Sequence, residues 1–129
     1  MSHVDVRLFT HELRVRLAKT GCYIEYDLFG AEGYLWTRMA VSEDHPRPSY
    51  MPNDASRVDA ILALIEAGYL EKLLISHDIC FKTRLCRYGG HGYAHILQNV
   101  LPLMREQGMS EDMVRAITVE NPSRMLQFV

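Results

Sequence analysis

Residues 71–97 read EKLLISHDICFKTRLCRYGGHGYAHIL, and this stretch decides the fold. The apolar run Leu73, Leu74, Ile75 predicts a short buried strand that delivers His77 and Asp78 at its carboxyl end. A polar and basic loop follows, then Gly89-Gly90-His91-Gly92, then an apolar helix. A buried strand that ends in a carboxylate and opens into a long loop is how parallel α/β barrels build their sites. At the other end of the chain, Met1-Ser2-His3-Val4-Asp5 reads as the tail of a second such strand, so the chain begins inside a strand.

Working outward, the helical spacing over residues 9–19 (Leu13, Val15, Leu17, Ala18) has Thr10 as a cap and Gly21 as a stop. Cys22 to Asp27 reads as a strand ending at Asp27. Leu28 to Pro52 holds Gly30, Gly33, Pro46, Pro48 and Pro52 without periodicity, and a loop of that length inside a domain is usually functional or mobile. Asn53 or Asp54 caps a helix through Val58, Ile61, Leu62, Leu64 and Ile65 that stops at Gly68. The helix after Gly92 runs to about Gln107, with Pro102 set to kink or break it. Ser110-Glu111-Asp112 opens another helix with a start like a capping box. A short final turn follows Asn121-Pro122 through Met125, Leu126 and Phe128.

The order strand, helix, strand, helix, strand, helix, helix predicts an α/β fold with a parallel sheet and right-handed crossovers. Three strands are too few for a (β/α)8 TIM barrel, which takes eight strands and about 250 residues. The expectation is one domain, residues 1–129, forming part of such a barrel.

Composition narrows the function classes. The chain has 129 residues, 48% hydrophobic and 23% charged, which is ordinary for a globular domain. A formal net charge of -2 gives no electrostatic reason to expect nucleic acid or an anionic membrane surface. No apolar run approaches the roughly 20 residues that span a bilayer, and no secretory signal is visible. Cys22, Cys80 and Cys86 are odd in number and form no close pair, which fits reduced thiols and a cytoplasmic location.

His3, Asp27 and Asp78 end the first, second and third predicted strands, so all three belong to one carboxyl-end rim. Imidazole nitrogen and carboxylate oxygen suit zinc and related divalent metals. A carboxylate on such a metal also accepts a proton from water, which makes Asp78 a candidate general base. The plainer alternative has Asp78 capping the following turn and His3 partly buried and hydrogen-bonded. His91 and His95 are spaced to share a helix face, but Gly92 weakens a helix there, and a tight glycine turn aiming His91 or Tyr93 at the rim fits better. Lys82, Arg84 and Arg87 either meet an anionic substrate group or form a solvated loop face. Phe29, Tyr34, Trp36 and Met39 either line an apolar pocket or pack their loop down. The thiols lack a neighbouring His/Asn pattern for nucleophilic catalysis.

The strings SHVD, GCYIEYDLFG, MPND, ISHDICFKTRL, RYGGHGYAHIL and ITVENPSRMLQF closely resemble the carboxyl-terminal part of the phosphotriesterase family, nearest its phosphotriesterase-related branch. The resemblance covers nearly the whole chain. It implies the amidohydrolase superfamily, a (β/α)8 barrel and a two-metal site, usually zinc. It also implies hydrolysis of phosphotriesters, lactones or related esters by a metal-bound hydroxide. The three strands then correspond to the sixth, seventh and eighth of the barrel. His3 matches a ligand of the second metal, and Asp78 matches a ligand of the first metal that also shuttles a proton. Asp27 falls at an acid near the substrate pocket, and His91 lies in a loop motif typical of this branch, so substrate-binding or supporting roles are implied for both.

The family's His-x-His pair, carbamylated lysine and fifth-strand histidine have no counterpart here. Two ligands cannot hold a two-metal site, since a catalytic zinc takes three protein ligands plus water. The chain alone is therefore expected not to be a competent hydrolase. Its expected partners are a small ester or lactone substrate and either the missing amino-terminal half or another copy of itself. The alternatives are a half-barrel that pairs with itself and a non-catalytic remnant that binds a ligand or protein through its rim.

Overall fold

The computed structural model describes residues 1–32 and 52–127. Among them, strands β1 (Ile24–Tyr26) and β2 (Leu73–Ile75) pair in parallel, Ile24 opposite Leu73 and Tyr26 opposite Ile75. The helices are α1 (Val4–Arg7), α2 (His11–Ala18), α3 (Asp54–Glu66), α4 (Leu101–Glu106), α5 (Glu111–Arg115) and α6 (Asn121–Leu126). This is an α/β arrangement with a small open parallel sheet and flanking helices.

The sequence predicted three strands, and the first is only partly formed. Met1 runs beside β1 in parallel fashion: its amino group donates to the Tyr23 carbonyl, and its own carbonyl accepts from the Glu25 N–H at 2.9 Å. The ladder then stops. The Asp27 carboxylate takes the His3 backbone N–H (3.0 and 3.1 Å), His3 turns into the left-handed region at φ 56°, and α1 begins at Val4. A side-chain acceptor thus outcompetes a further ladder bond, which the strand reading of Val4 and Asp5 could not anticipate.

The cap signals hold. Thr10 accepts from the Leu13 N–H, Asn53 rather than Asp54 accepts from the Ser56 N–H, and Ser110 accepts from the Met113 N–H. The core lies between the sheet and the helices. Val58, Ile61 and Leu64 form the buried stripe of α3, and they share one cluster with Val4, Ile24, Tyr26, Phe29, Leu73, Val100, Met104 and Ile117. Each large aliphatic side chain buried there stabilises the fold by about 1.5–3 kcal/mol.

Neither proline breaks its helix. A π-helical turn, Ile96–Val100, leads into α4 with Pro102 in its first turn, and Ala116–Glu120 leads into α6 with Pro122 in the same place. A proline ring clashes with the carbonyl four residues earlier. A wider turn moves that carbonyl aside, and both helices continue.

Tyr26 is fully buried, and its hydroxyl has no hydrogen-bond partner among the described residues. Burial pushes its pKa up to about 12. The folded chain therefore holds that proton more tightly than the unfolded one, whose tyrosines ionise near 10. Stability is intact below about pH 10 and drains away as pH climbs toward 12, by at most about 1.4 kcal/mol for each pH unit. Tyr26→Phe is expected to flatten that alkaline limb in urea titrations. At neutral pH it is expected to be neutral or stabilising, because it removes an unsatisfied polar atom. An unchanged alkaline limb in the variant would refute this.

Among the described residues no helix is long and apolar enough to cross a membrane. The three cysteines are unpaired.

Candidate functional site

The register fixes which residues share a rim. β1 and β2 run parallel with Tyr26 opposite Ile75, and the Ser76 N–H donates to the Tyr26 carbonyl at 3.0 Å. Asp27 and the segment Ser76-His77-Asp78 therefore leave the sheet at the same, carboxyl end. Met1 pairs across Tyr23 and Glu25, so His3 arrives at that end as well. The rim predicted from sequence is present.

His3 and Asp27 meet directly. The His3 Nδ1 lies 2.9 Å from Asp27 Oδ1, with the His3 side chain 43% exposed and that of Asp27 8% exposed. With Nδ1–H donating to the carboxylate, Nε2 has no hydrogen-bond partner among the described residues. Metal-ligating histidines characteristically carry this support: one nitrogen on a carboxylate, the other on the metal. His3 is also partly buried and hydrogen-bonded, as the plainer alternative had it, so the contact by itself fits both.

Asp78 does not cap the following turn. Its backbone carbonyl accepts from Arg84 Nη1 at 2.8 Å, while its carboxylate has no hydrogen bond among the described residues. Its φ is 41°. His3 and Asp78 are the only non-glycine residues with positive φ among those described. That conformation is uncommon for residues with a side chain, although His and Asp enter it more readily than most, and such backbone clusters at functional sites.

The basic loop divides. Arg84 is half-buried and structural: Nη1 holds the Asp78 carbonyl, and Nη2 holds the Phe29 carbonyl at 2.9 Å, tying the loop after β2 to the segment after β1. Lys82 sits over the Tyr88 ring at 5.7 Å. The glycine turn is tightly packed. A Cβ on Gly90 would fall 2.2–2.3 Å from Arg84 backbone atoms, and one on Gly92 would fall 2.4 Å from Cys86 Sγ. Phe29 is wholly buried in the core. Tyr34, Trp36 and Met39, with most of the long segment after Leu28, lie outside the described residues, as does Phe128.

His91 and His95 do not share a helix face. His91 precedes the helical turn, and its exposed ring stacks on the buried His95 ring with centroids 4.2 Å apart. His95 has both nitrogens occupied, Nε2 at 2.6 Å from Asp54 Oδ2 and Nδ1 at 2.9 Å from the Asn99 amide. Neither ring nitrogen of His95 is left free for a further ligand.

Behind this pair lies a buried charge network that the sequence reading missed. Arg57, 1% exposed, donates Nε–H to Asp5 Oδ2 (2.7 Å), Nη1–H to Asp54 Oδ1 (2.9 Å) and Nη2–H to the Ala31 carbonyl (2.9 Å). Asp54 also accepts from the Gly30 N–H at 2.8 Å. One guanidinium thus ties together α1, which follows His3, the segment after Asp27, and, through Asp54 and His95, the loop after Asp78. Gly30 is required for this closure. It sits at φ +79°, and a Cβ there would meet His95 Cδ2 at 2.9 Å. The only sequence signal was Asp54 and Arg57 three apart on a helix, which reads as a surface pair. Asp5 Oδ1 has no hydrogen-bond partner among the described residues, and burial raises the Asp5 carboxyl above the usual carboxylate range despite Arg57.

Among the described residues, no group of three or more His, Cys, Asp or Glu converges as a metal site would need.

Comparison with known proteins decides the lineage. A family model described as the phosphotriesterase family matches residues 1–126. The chain belongs to the phosphotriesterase family. It is 45% identical over 129 residues to a phosphotriesterase-related protein of Drosophila grimshawi. It is 42% identical over 128 residues to an N-acetyltaurine hydrolase of Danio rerio. Each comparison covers 99% of this chain and 35% of the relative. A solved structure, a resiniferatoxin-binding protein from Rhodobacter sphaeroides, superposes with a TM-score of 0.81 at 31% identity, covering 95% of this chain and 32% of that one. The chain therefore spans about a third of the length of the relatives it matches.

Proposed function

We propose that this chain supplies part of the metal-binding rim of a phosphotriesterase-family hydrolase, contributing the sixth, seventh and eighth strand positions of a (β/α)8 barrel. His3 and Asp78 are the ligands, Asp27 orients His3, and Asp78 also serves as general base. The observation that carries the assignment is backbone strain. His3 and Asp78, the two rim residues that the family resemblance makes metal ligands, are also the two non-glycine residues in the left-handed region among those described, at the same end of the sheet.

The donor chemistry fits a divalent metal such as zinc, with imidazole nitrogen from His3 and carboxylate oxygen from Asp78. The number of donors does not suffice, so the remaining ligands come from beyond the described residues. When bound, such a metal supplies Lewis acidity and lowers the pKa of water. The chain's own residues do the rest. Asp27 holds the Nδ1–H of His3 and so fixes its tautomer, the Asp78 carboxylate accepts the proton of the attacking water, and Arg84 holds the backbone on which Asp78 sits. The bond cleaved belongs to a small acyl or phosphoryl compound: an ester, a lactone or, following the N-acetyltaurine hydrolase relatives, an N-acyl amide. The unpaired thiols suit a reducing compartment.

The test is reconstitution. The chain is co-expressed with the amino-terminal two thirds of a phosphotriesterase-related relative, and metal content and hydrolysis of N-acetyltaurine, a lactone and an aryl ester are measured. The assembled protein is expected to bind two metal ions and turn over at least one substrate, and the lone chain to retain less than one ion. Stoichiometric metal in the lone chain, or a metal-free and inactive assembly, would overturn the proposal.

A further inference from the structure

Beside Asp78 lies a shallow, solvent-open depression with about 10 Å³ of enclosed space, room for a single oxygen-sized group, lined by Phe29, Gly30, His77, Arg84, His91 and His95 among others. Its polar lining is one guanidinium and three imidazoles, and no carboxylate takes part. Asp54 stands behind His95, with its two oxygens engaged by Arg57, Gly30 and His95. Arg84 uses two of its five N–H donors on carbonyls, so positive charge and further donors remain. Its position is fixed by those same bonds.

The histidines are equally fixed. His77 Nε2 lies 3.0 Å from the Tyr93 carbonyl and must donate to it. The His91 ring has no hydrogen bond among the described residues, yet it is held in place by the stack on His95. That ring is in turn held at both nitrogens by Asp54 and Asn99. The His91 backbone is anchored too: its carbonyl accepts from Cys86 Sγ, and the Gly92 N–H reaches the Arg84 carbonyl at 2.8 Å. A preset cationic and donor-rich surface with an unused imidazole recognises oxygen anions.

We propose that this depression is a docking site for the oxyanionic end of a small substrate (sulfonate, carboxylate or phosphate), with His91 and Arg84 as the contacting groups and Asp54 and His95 as positioning residues. Its meaning as a substrate subsite rests on the hydrolase reading above, but anion binding itself does not. It is read directly on the 129-residue chain by NMR of the imidazole and Gly92 resonances. The probes are sulfate, methanesulfonate and acetate, each against chloride at equal ionic strength.

Saturable shifts at His91 are expected with at least one oxyanion and not with chloride. His91→Gln is expected to weaken the apparent affinity at least fivefold, and His11→Gln, an exposed residue of α2 outside the lining, to leave it unchanged. His95→Phe, which keeps a flat ring but loses the Asp54 link, should give an intermediate loss. Absence of saturation, or equal affinity in His91→Gln, overturns the proposal. No metal or turnover is needed, so an active reconstituted enzyme without anion binding here refutes only this inference. Anion binding without activity refutes only the hydrolase reading.

Discussion

Arg57→Ala is expected to cost the fold about 3–5 kcal/mol, the penalty for breaking a buried ion pair by removing one partner. The variant leaves two carboxylates, Asp5 and Asp54, inside the protein without their cation, and it strands the Ala31 carbonyl. It also removes the guanidinium that lies 5.9 Å from the Phe29 ring centroid. Domain stabilities run about 5–15 kcal/mol, so the urea midpoint should collapse or cooperativity should vanish. The companion variant separates charge from volume. Arg57→Met combined with Asp5→Leu and Asp54→Asn removes the stranded charges while keeping the space filled, and it should recover most of the loss. Asp5→Asn alone should be mild, since burial already works against the Asp5 carboxylate. A loss below about 1 kcal/mol for Arg57→Ala would show that the network contributes little beyond packing.

In the reconstituted hydrolase, Asp78→Asn is expected to lower kcat by about 10²–10⁴-fold, the usual contribution of general acid–base catalysis. Asparagine tolerates positive φ as well as aspartate does, so the fold should be unaffected at φ 41° and thermal melts of the two proteins should coincide once both are stripped of metal. Asp27→Asn, which acts only through His3, should be milder. It is expected to weaken metal affinity about 10–100-fold, the range for lost supporting carboxylates. Activity in Asp78→Asn within threefold of the parent would remove that residue from the proton's path.

The parts legible in the sequence were those with local signatures. The run Leu73, Leu74, Ile75 is short, apolar and bounded, and it became β2. Thr10, Asn53 and Ser110 carry their acceptors at a fixed offset from the donors they satisfy, so the helix starts could be read. The shared end of Asp27 and Asp78 followed from strand polarity alone, because residues that end parallel strands must share an end, whereas His3 reaches it by its contact with Asp27. What escaped was non-local or geometrically degenerate. Arg57 and Asp5 are 52 positions apart, and no periodicity announces that contact. Met1 to Asp5 is too short for alternation to distinguish a strand from an extended lead into a helix, and the competing acceptor, Asp27, lies 24 positions away. The π turns before Pro102 and Pro122 were hidden because the sequence reports that a proline must be accommodated, not by which turn.

Asn121 carries a consequence for assembly. Wholly buried in α6, its amide donates to the Leu70 and Leu73 carbonyls at 2.8 Å each, covering the flank of β2 that faces away from β1. A newcomer laid along that flank finds its lower rung already taken. It would have to begin pairing near Ile75 and run toward the rim, so docking there is forced into a staggered alignment, with a single side chain setting the offset.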